Sequence, residues 1–569
     1  MSGLDWLILG LTLALIVGYG TWKTRKNNNL EGYLKGNNSE NWATIGLSIM
    51  ATQASAITFL STPGQAYESG MGFVQFYFGL PIAMVLISVF FLPIYYRLKV
   101  YTAYEYLESR FDVRVRAFTA FLFLISRGLA AGITIYAPAI ILSALLGWNL
   151  QLTCVLIGGL VIVYTVSGGS RAVSLTQKWQ MGVIMGGMFL AFYYVLQSFP
   201  EGMGMMDGVQ IAGELGKMNI IDTSTDIDNR YTLLSGLTGG LFLSLSYFGT
   251  DQSQVQRYLG GKSLKESRLG LMFNGLVKIP MQFFILFIGI MVFVTYQFNE
   301  PPIVFNKSAT SINTGEYPEL VKIENEFKEL HSQKKQILSN SDISADFPVN
   351  IASPKTKVTD IMARQNELRT AYKEKLTELD PNYEAKDSDY IFLDFVLKYL
   401  PHGLIGLLLA VIFSAAMSST AGELNALAST TTIDFYKKFF QKEKVSDKRE
   451  LLISKLLTVA WGIIAIAIAL IAGLFENLIQ LVNVLGSLFY GTILGVFLVA
   501  FFIKYVKSNA VLIGGLVAET FILFAHFTKD LDWMPKIEFL YYNIIGSLIV
   551  ILTALITQLV INKSFKTKT

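Results

Sequence analysis

The sequence predicts an all-α polytopic membrane protein with about 13 transmembrane helices, built as a five-plus-five inverted repeat. Three observations carry this. The 569 residues are 52% hydrophobic and only 15% charged, with a mean hydropathy of +0.47, a makeup outside that of soluble domains. Apolar runs long enough to cross a bilayer recur along the whole chain. Lys and Arg gather in every second loop, the pattern that short cytoplasmic loops impose.

The apolar runs begin near Leu4, Ala43, Phe73, Ala117, Leu150, Leu175, Leu233, Leu269, Leu404, Leu451, Leu478, Ala510 and Ile537. The first, Leu4 to Trp22, has no basic leader and is long enough to remain as a span, so no cleavable signal is expected. Basic residues follow at Lys23, Arg25, Lys26 and Lys35, and again at Arg97, Lys99, Arg110, Arg114 and Arg116. They recur at Arg171, at Arg257 to Arg268, at Lys437 to Arg449, at Lys504 and Lys507, and at Lys563, Lys566 and Lys568. Their alternation puts the N-terminus outside and the C-terminus in the cytoplasm of a bacterial-type inner (plasma) membrane.

Two external segments interrupt the spans. Pro200 to Arg230 is rich in Gly, Asp and Thr and has room for a short surface or re-entrant helix. Glu300 to Asp389 has helical apolar spacing in both halves, at Leu320, Ile323, Phe327 and Leu330 and at Val358, Ile361, Leu368 and Tyr372, which reads as a two-helix hairpin over the external mouth. Its Lys and Glu residues read as a solvated face. The single cysteine, Cys154, lies in an apolar run and reads as a packing group. The three histidines, His331, His402 and His526, make no local metal motif.

Setting aside a peripheral first span, spans two to six and seven to eleven form two equal odd groups, so the second enters the membrane inverted. The expected organisation is 1–42 peripheral helix and loop, 43–198 first repeat, 199–231 external loop, 232–503 second repeat with an insert at 300–389, and 504–569 two peripheral helices and a tail. In such repeats the sites form near the midplane, where the first helix of each repeat is broken. Those helices are Ala43 to Gly70 and Leu233 to Gln256. The first holds Thr52, Gln53, Ser55, Thr58, Ser61 and Thr62, then Pro63 and Gly64; the second holds Gly239, Gly240, Ser244, Ser246, Gly249, Asp251 and Gln252. Lipid contact forbids such groups unless they face protein or a watery cavity. Close helix packing accounts for the glycines but poorly for Gln53, Asp251 and Gln252.

Ser414, Ser418, Ser419 and Thr420 cluster within two turns of one predicted helix. Sodium favours such hydroxyls together with unwound carbonyls; taken alone, bonding back to the preceding turn is the simpler reading. Lys278 lies in an apolar run, where an ammonium marks a functional site by default. It is also only about 15 Å along the helix from Arg268, so snorkelling carries equal weight. Glu423 has the same ambiguity. Tyr247 and Phe248 beside the second break suit a gate or stacking surface, with packing the commoner role of such rings.

Several ordered motifs resemble the sodium:solute symporter family: SIMATQASAITFLSTPGQAY its first core helix, GGSRAV with TQKWQ the start of its sixth span, GTDQSQVQRYL the seventh, and FSAAMSSTAGELNALASTTTIDFY the ninth. The resemblance runs from Leu4 to about Phe502, outside the insert, and implies a LeuT-like fold. It implies a sodium site on the backbone carbonyls of Ala51, Ala54 and Ala415 and the hydroxyls of Ser418 and Ser419. It further implies that Thr58, Tyr77, Leu80, Ser244, Lys278 and Gln480 fall near the solute, with Tyr247 and Phe248 at the inner gate; Gln53 joins the solute candidates as a polar residue of the broken helix. Tyr77 and Leu80 depart from the carboxylate and serine of the sugar-transporting branch, which argues against a glucose-like substrate. Gln177 stands where many members carry an aspartate, so one sodium per cycle is expected.

The function read from this is sodium-coupled import of a small polar organic solute or anion by alternating access, with sodium and solute as the small-molecule partners and the lipid bilayer as the surroundings. Neither nucleic acid nor an obligatory protein partner is implied. The competing reading is a channel or sodium-linked sensor on the same scaffold; a sensor would carry a signalling domain after the last span, where only Ile561 to Thr569 remains. An enzyme is disfavoured, since no clustered His, Cys or paired-carboxylate motif occurs.

Overall fold

The computed structural model describes residues 2–24, 30–35, 39–225, 229–306, 314–340, 352–380, 383, 385, 387–441, 446–472, 478–528, 531 and 537–566. Arg25, Lys26 and Lys568 of the basic loops lie outside the described residues. Among those described, the chain is almost entirely helical. Ten helices are long and apolar enough to cross a membrane, or twelve if each of two bent pairs counts as one span. An N-terminal helix, α1 (Gly3–Thr24), adds a shorter apolar stretch.

The bent pairs are the distinctive elements. In the first, α2 (Trp42–Gln53) and α3 (Ala56–Ser69) meet at 60°. Ala54, at the joint, has φ −82 and ψ 75. A continuous helix would use the Ser55 amide on the Ala51 carbonyl; here it bonds Gln53 instead, at 3.0 Å. Likewise the Thr58 amide bonds Ser55 at 2.9 Å rather than Ala54. In the second pair the stretch Leu233–Gly249, which ends in α6 (Gly239–Gly249), and α7 (Gln252–Leu259) are bent by 59°. Asp251 is extended at the joint, and its side chain caps α7 by accepting from the Ser253 amide at 2.8 Å, the usual work of an Asp at a helix start. Both breaks fall within the segments that polar composition marks in the sequence.

The other spans pack around these pairs. They include the stretch Met71–Leu98, α4 (Val113–Leu146), α5 (Leu150–Gln197), α8 (Leu264–Phe298), α11 (Leu404–Thr430), α12 (Asp447–Ala469) and α13 (Leu478–Phe502). Gly169 divides α5 into two spans: its φ of 60 is a left-handed value, and a Cβ there would lie 2.5 Å from the Tyr33 ring, so only glycine suits the kink. Two C-terminal helices, α14 (Ser508–Phe527) and α15 (Phe539–Lys566), pack beside α13, where the Ser547 hydroxyl donates to the Gly491 carbonyl at 2.9 Å. α1 docks on the start of α11 through Asp5, which accepts from the amides of Gly403 and Gly406 at 2.5 and 3.2 Å. Large apolar side chains such as Leu160, Val163, Leu456 and Ile463 point outward, while the interior is rich in buried Ser, Thr and Gln. This suits hydrocarbon outside and a polar site inside.

The insert forms a helical hairpin, α9 (Pro318–Asn340) against α10 (Ala352–Leu379), with a core of Leu320, Phe327, Leu368, Tyr372 and Leu376. At its base the Asp387 carboxylate accepts from the Phe305 amide at 2.7 Å and from Lys373 at 2.5 Å. The next residue, Ser388, sits on α3 so closely that a Cβ on Gly64 would lie 2.0 Å from its carbonyl oxygen. In the 199–231 segment, Met205–Glu214 is helical.

Candidate ion and solute site

The break after α2 frees the carbonyls of Ala51 and Ala54 from their helical donors, and α11 passes beside it. Ser418 donates its hydroxyl to the Ala51 carbonyl at 3.4 Å, and Ser419 donates to the Ala415 carbonyl at 2.7 Å. All five residues are buried. Four of the five oxygens named from the sequence therefore lie in two contacting pairs. Hydroxyls that now satisfy those carbonyls can rotate to offer their own lone pairs to a hard cation.

Next to this position, Gln177 of α5 fills the space between α2 and α11. It accepts from the Ser48 hydroxyl at 2.5 Å and donates to the Thr52 hydroxyl at 3.0 Å and the Ser418 carbonyl at 3.2 Å. An amide donating into this corner takes up acceptors that a second cation would need. The Arg257 guanidinium of α7 is also buried there, with Nη1 3.4 Å from the Ser174 hydroxyl.

On the other side of the break lies a cavity of about 80 Å³. Gln53, Thr58, Tyr77 and Tyr247 of the expected solute residues line it, together with Ser55, Asn483 and a charged cluster. The centre of that cluster is Arg127 of α4, only 3% exposed. Its guanidinium bonds Asp251 through Nη2 and, at 3.1 Å, through Nε; Nη1 bonds Glu423 of α11 at 3.0 Å. Tyr490 of α13 donates to Asp251 at 2.9 Å, Thr134 to Glu423 at 3.1 Å, and Arg127 also stacks 5.1 Å over the Tyr247 ring. A single guanidinium thus faces two buried carboxylates, an aromatic face and the cavity. One of those carboxylates is the joint of the second broken helix.

The remaining expected solute residues lie elsewhere. Lys278 is fully buried, so it does not snorkel; its ammonium sits 5.6 Å over the Tyr77 ring. Leu80, Ser244 and Phe248 are buried on neighbouring faces and are not among the residues lining the cavity. Gln480 belongs to an outer network: it donates to Gln65 of α3 at 2.9 Å and accepts from Arg230 at 2.8 Å, and Arg230 pairs with Glu538 at 3.1 Å. Beside it, burial pushes the Asp389 carboxyl up to about 6, while it accepts from the Leu478 amide at 3.4 Å. Gln480 is engaged by a guanidinium from the 199–231 segment, a partner 250 residues away in sequence. This network links α3 and α13 to Arg230 and to Glu538, just before α15.

Sequence reasoning passed over Arg127, Thr134, Asn483 and Tyr490. A signal for Arg127 was present: it lies ten residues into the run that begins near Ala117, the criterion that singled out Lys278.

The profile of the Sodium:solute symporter family matches residues 33–324 and 376–518, well over half of the chain. The mouse sodium-coupled monocarboxylate transporter 2 is 26% identical over 517 residues, covering 90% of this chain and 70% of that protein. The sodium/sialic acid symporter of Proteus mirabilis is 25% identical over 568 residues, 97% and 94% of the two chains. The human sodium/iodide cotransporter is 25% identical over 518 residues, 90% and 67%. A solved Na+-coupled sialic acid symporter, in a substrate-bound outward-open state, shares the fold with a TM-score of 0.75 at 23% identity, covering 98% of each chain.

Proposed function

The chain belongs to the sodium:solute symporter family, and from that premise we propose how it couples sodium to a solute and which solute class it takes. It is a multi-pass, sodium-coupled transporter. In our reading its spans number thirteen, with α1 as a peripheral first span, and the two broken helices are the equivalent first members of two inverted repeats, N-terminus outside. One sodium ion sits on the carbonyls of Ala51, Ala54 and Ala415 and the hydroxyls of Ser418 and Ser419. Gln177 leaves no second cation beside it.

The solute is a small anion, most simply a short monocarboxylate, and Arg127 receives it. The observation that carries this is the guanidinium in the cavity wall: Asp251, Glu423 and Tyr490 take four of its N–H groups, and a solute carboxylate that displaces one of these partners completes a planar bidentate fork. Gln53, Thr58, Tyr77 and Tyr247 complete the wall, with Asn483 and Tyr490. A cavity of about 80 Å³ suits a solute of a few heavy atoms; a sugar acid would need the site to widen. That relatives are named for monocarboxylates, sialic acid and iodide, all anions, supports the same class. Lys278 acts behind Tyr77, holding the ring by a cation–π contact. Gln480 belongs to the outer gate.

Coupling follows from where the sites lie. Sodium stitches α2 to α11 at the first break, and the solute meets Arg127, which holds the second break through Asp251. Filling both sites changes the contacts of both breaks; one sodium with one monoanion moves no net charge, so the sodium concentration gradient supplies the driving force. The test is uptake into proteoliposomes of radiolabelled lactate, sialic acid and iodide under an imposed sodium gradient. Lactate accumulation that needs sodium and is lost in Arg127→Met supports the reading. Uptake that runs equally well in potassium, or survives in Arg127→Met, overturns it.

A further inference from the structure

The end of the bundle that carries the basic loops holds a second, larger feature. Where α4 begins, α14 begins and α15 ends, an open cleft of about 930 Å³ is lined by Arg114, Lys507 and Lys563, with Asn509, Gln558 and Asn562 between them. No carboxylate is among its described lining residues; Asp112, beside it, pairs with Arg114 at 2.7 Å. The cleft therefore keeps an excess of positive charge.

Its polar walls are fixed rather than loose. Arg114 donates to the Asn509 side chain at 2.8 Å. Buried Gln558 accepts from the Lys507 amide at 2.8 Å and donates to Asn562 at 2.9 Å. The N-terminus of the 20-residue α14 opens into the same space without a side-chain cap, adding the positive end of a helix dipole.

The cleft is also continuous with an apolar track. Leu548, Leu552, Ile556 and Leu559 recur about once per turn on α15 and are 46%, 56%, 61% and 56% exposed. They run from the cleft into the span, so a ligand with an anionic head and an acyl tail meets cations at one end and leucines along its length. Basic pockets between transmembrane helices are suited to such headgroups.

We propose that this cleft is a specific site for an anionic phospholipid, its phosphodiester held by Arg114, Lys507 and Lys563 and one acyl chain laid along the Leu548–Leu559 face of α15. Each basic residue near the headgroup contributes roughly 1 kcal/mol, about a fivefold factor in affinity. The lipid would brace α14 and α15 against α4.

The test is native mass spectrometry and thermal unfolding of the full-length purified protein with dioleoyl-phosphatidylglycerol, dioleoyl-phosphatidylcholine or glycerol 3-phosphate added. Retention and stabilisation by phosphatidylglycerol, but by neither of the others, is expected. Lys507→Gln with Lys563→Gln should weaken retention about 25-fold, and Arg114→Gln alone about fivefold, while Lys262→Gln with Lys265→Gln, in another basic loop, should leave it unchanged. Equal retention of phosphatidylcholine, or undiminished phosphatidylglycerol retention in both the double variant and Arg114→Gln, overturns the site. Stabilisation by glycerol 3-phosphate equal to that by phosphatidylglycerol shows a soluble phosphate ligand and overturns the lipid assignment.

Discussion

Asp251→Asn is the most informative single perturbation, because one carboxylate serves three elements. Its Oδ2 receives two donors of Arg127 and the Tyr490 hydroxyl, and its Oδ1 receives the Ser253 amide and hydroxyl at 2.8 and 2.6 Å. An asparagine has one oxygen for these two sets of donors, and its NH2 meets a donor whichever way it turns. Breaking a buried ion pair by removing one partner costs about 3–5 kcal/mol. Glu423 remains on Arg127 at 3.0 Å, so about 3 kcal/mol, the lower end, is expected. Arg127→Met should cost at least as much, since two carboxylates are then left buried. The double variant should lose clearly less than the sum, with a coupling of about 2–3 kcal/mol in the range seen for one network. Chemical unfolding followed by fluorescence of the seven tryptophans reads all three. Additivity within about 0.5 kcal/mol would refute the claim that Arg127 and Asp251 hold the second break together. Because the freed guanidinium faces the cavity, Asp251→Asn should also bind lactate more tightly than the unaltered protein.

Gly64→Ala should destabilise the chain by about 1–3 kcal/mol or more and slow transport, since its Cβ would lie 2.0 Å from the Ser388 carbonyl oxygen and that backbone cannot give way cheaply; unaltered unfolding and uptake would count against Ser388 as a fixed stop on α3. Parallel uptake of radioactive sodium and lactate into proteoliposomes should give one sodium per lactate with no current, because Gln177 occupies the neighbouring corner; a ratio of two, which would carry net charge, would contradict this. Burial, with Lys334, Lys335 and Lys398 nearby, holds the His331 imidazole down at about 4, against an ordinary value near 6.5. The folded insert thus keeps His331 neutral where the unfolded chain takes up a proton, so its stability is full above about pH 6.5 and falls as the pH drops toward 4. Limited proteolysis of the α9–α10 hairpin should speed up over that window, and His331→Gln should flatten the response.

Much of this architecture is legible in the chain because the bilayer imposes strong local rules. Polar groups with Gly in an apolar run mark both broken helices, and both bends lie where Ala54 and Asp251 interrupt the hydrogen-bond ladder. Ser418 and Ser419 stand out by adjacency, although nothing local says that the Ala51 carbonyl faces Ser418 across 367 residues of chain. The charged cluster was less legible for the same reason: Glu423 looks ambiguous alone, since its guanidinium lies 296 residues away. Gln480 is a different case: family likeness points to the solute, while Arg230 and Gln65 hydrogen-bond its side chain, and it is not among the residues lining the cavity. The contact of Ser388 with Gly64 depends on how the hairpin docks, which helical periodicity does not encode.

The most direct measurement of the central claim is equilibrium binding of radioactive sodium to the purified protein, with Ser419→Ala alongside. Saturation at one ion per chain, no displacement by potassium, and affinity weakened about tenfold or more in Ser419→Ala, as expected when one of five oxygen ligands is lost, is the predicted result. Binding that Ser419→Ala leaves unchanged, or that potassium displaces equally well, would contradict the sodium site on which the account rests.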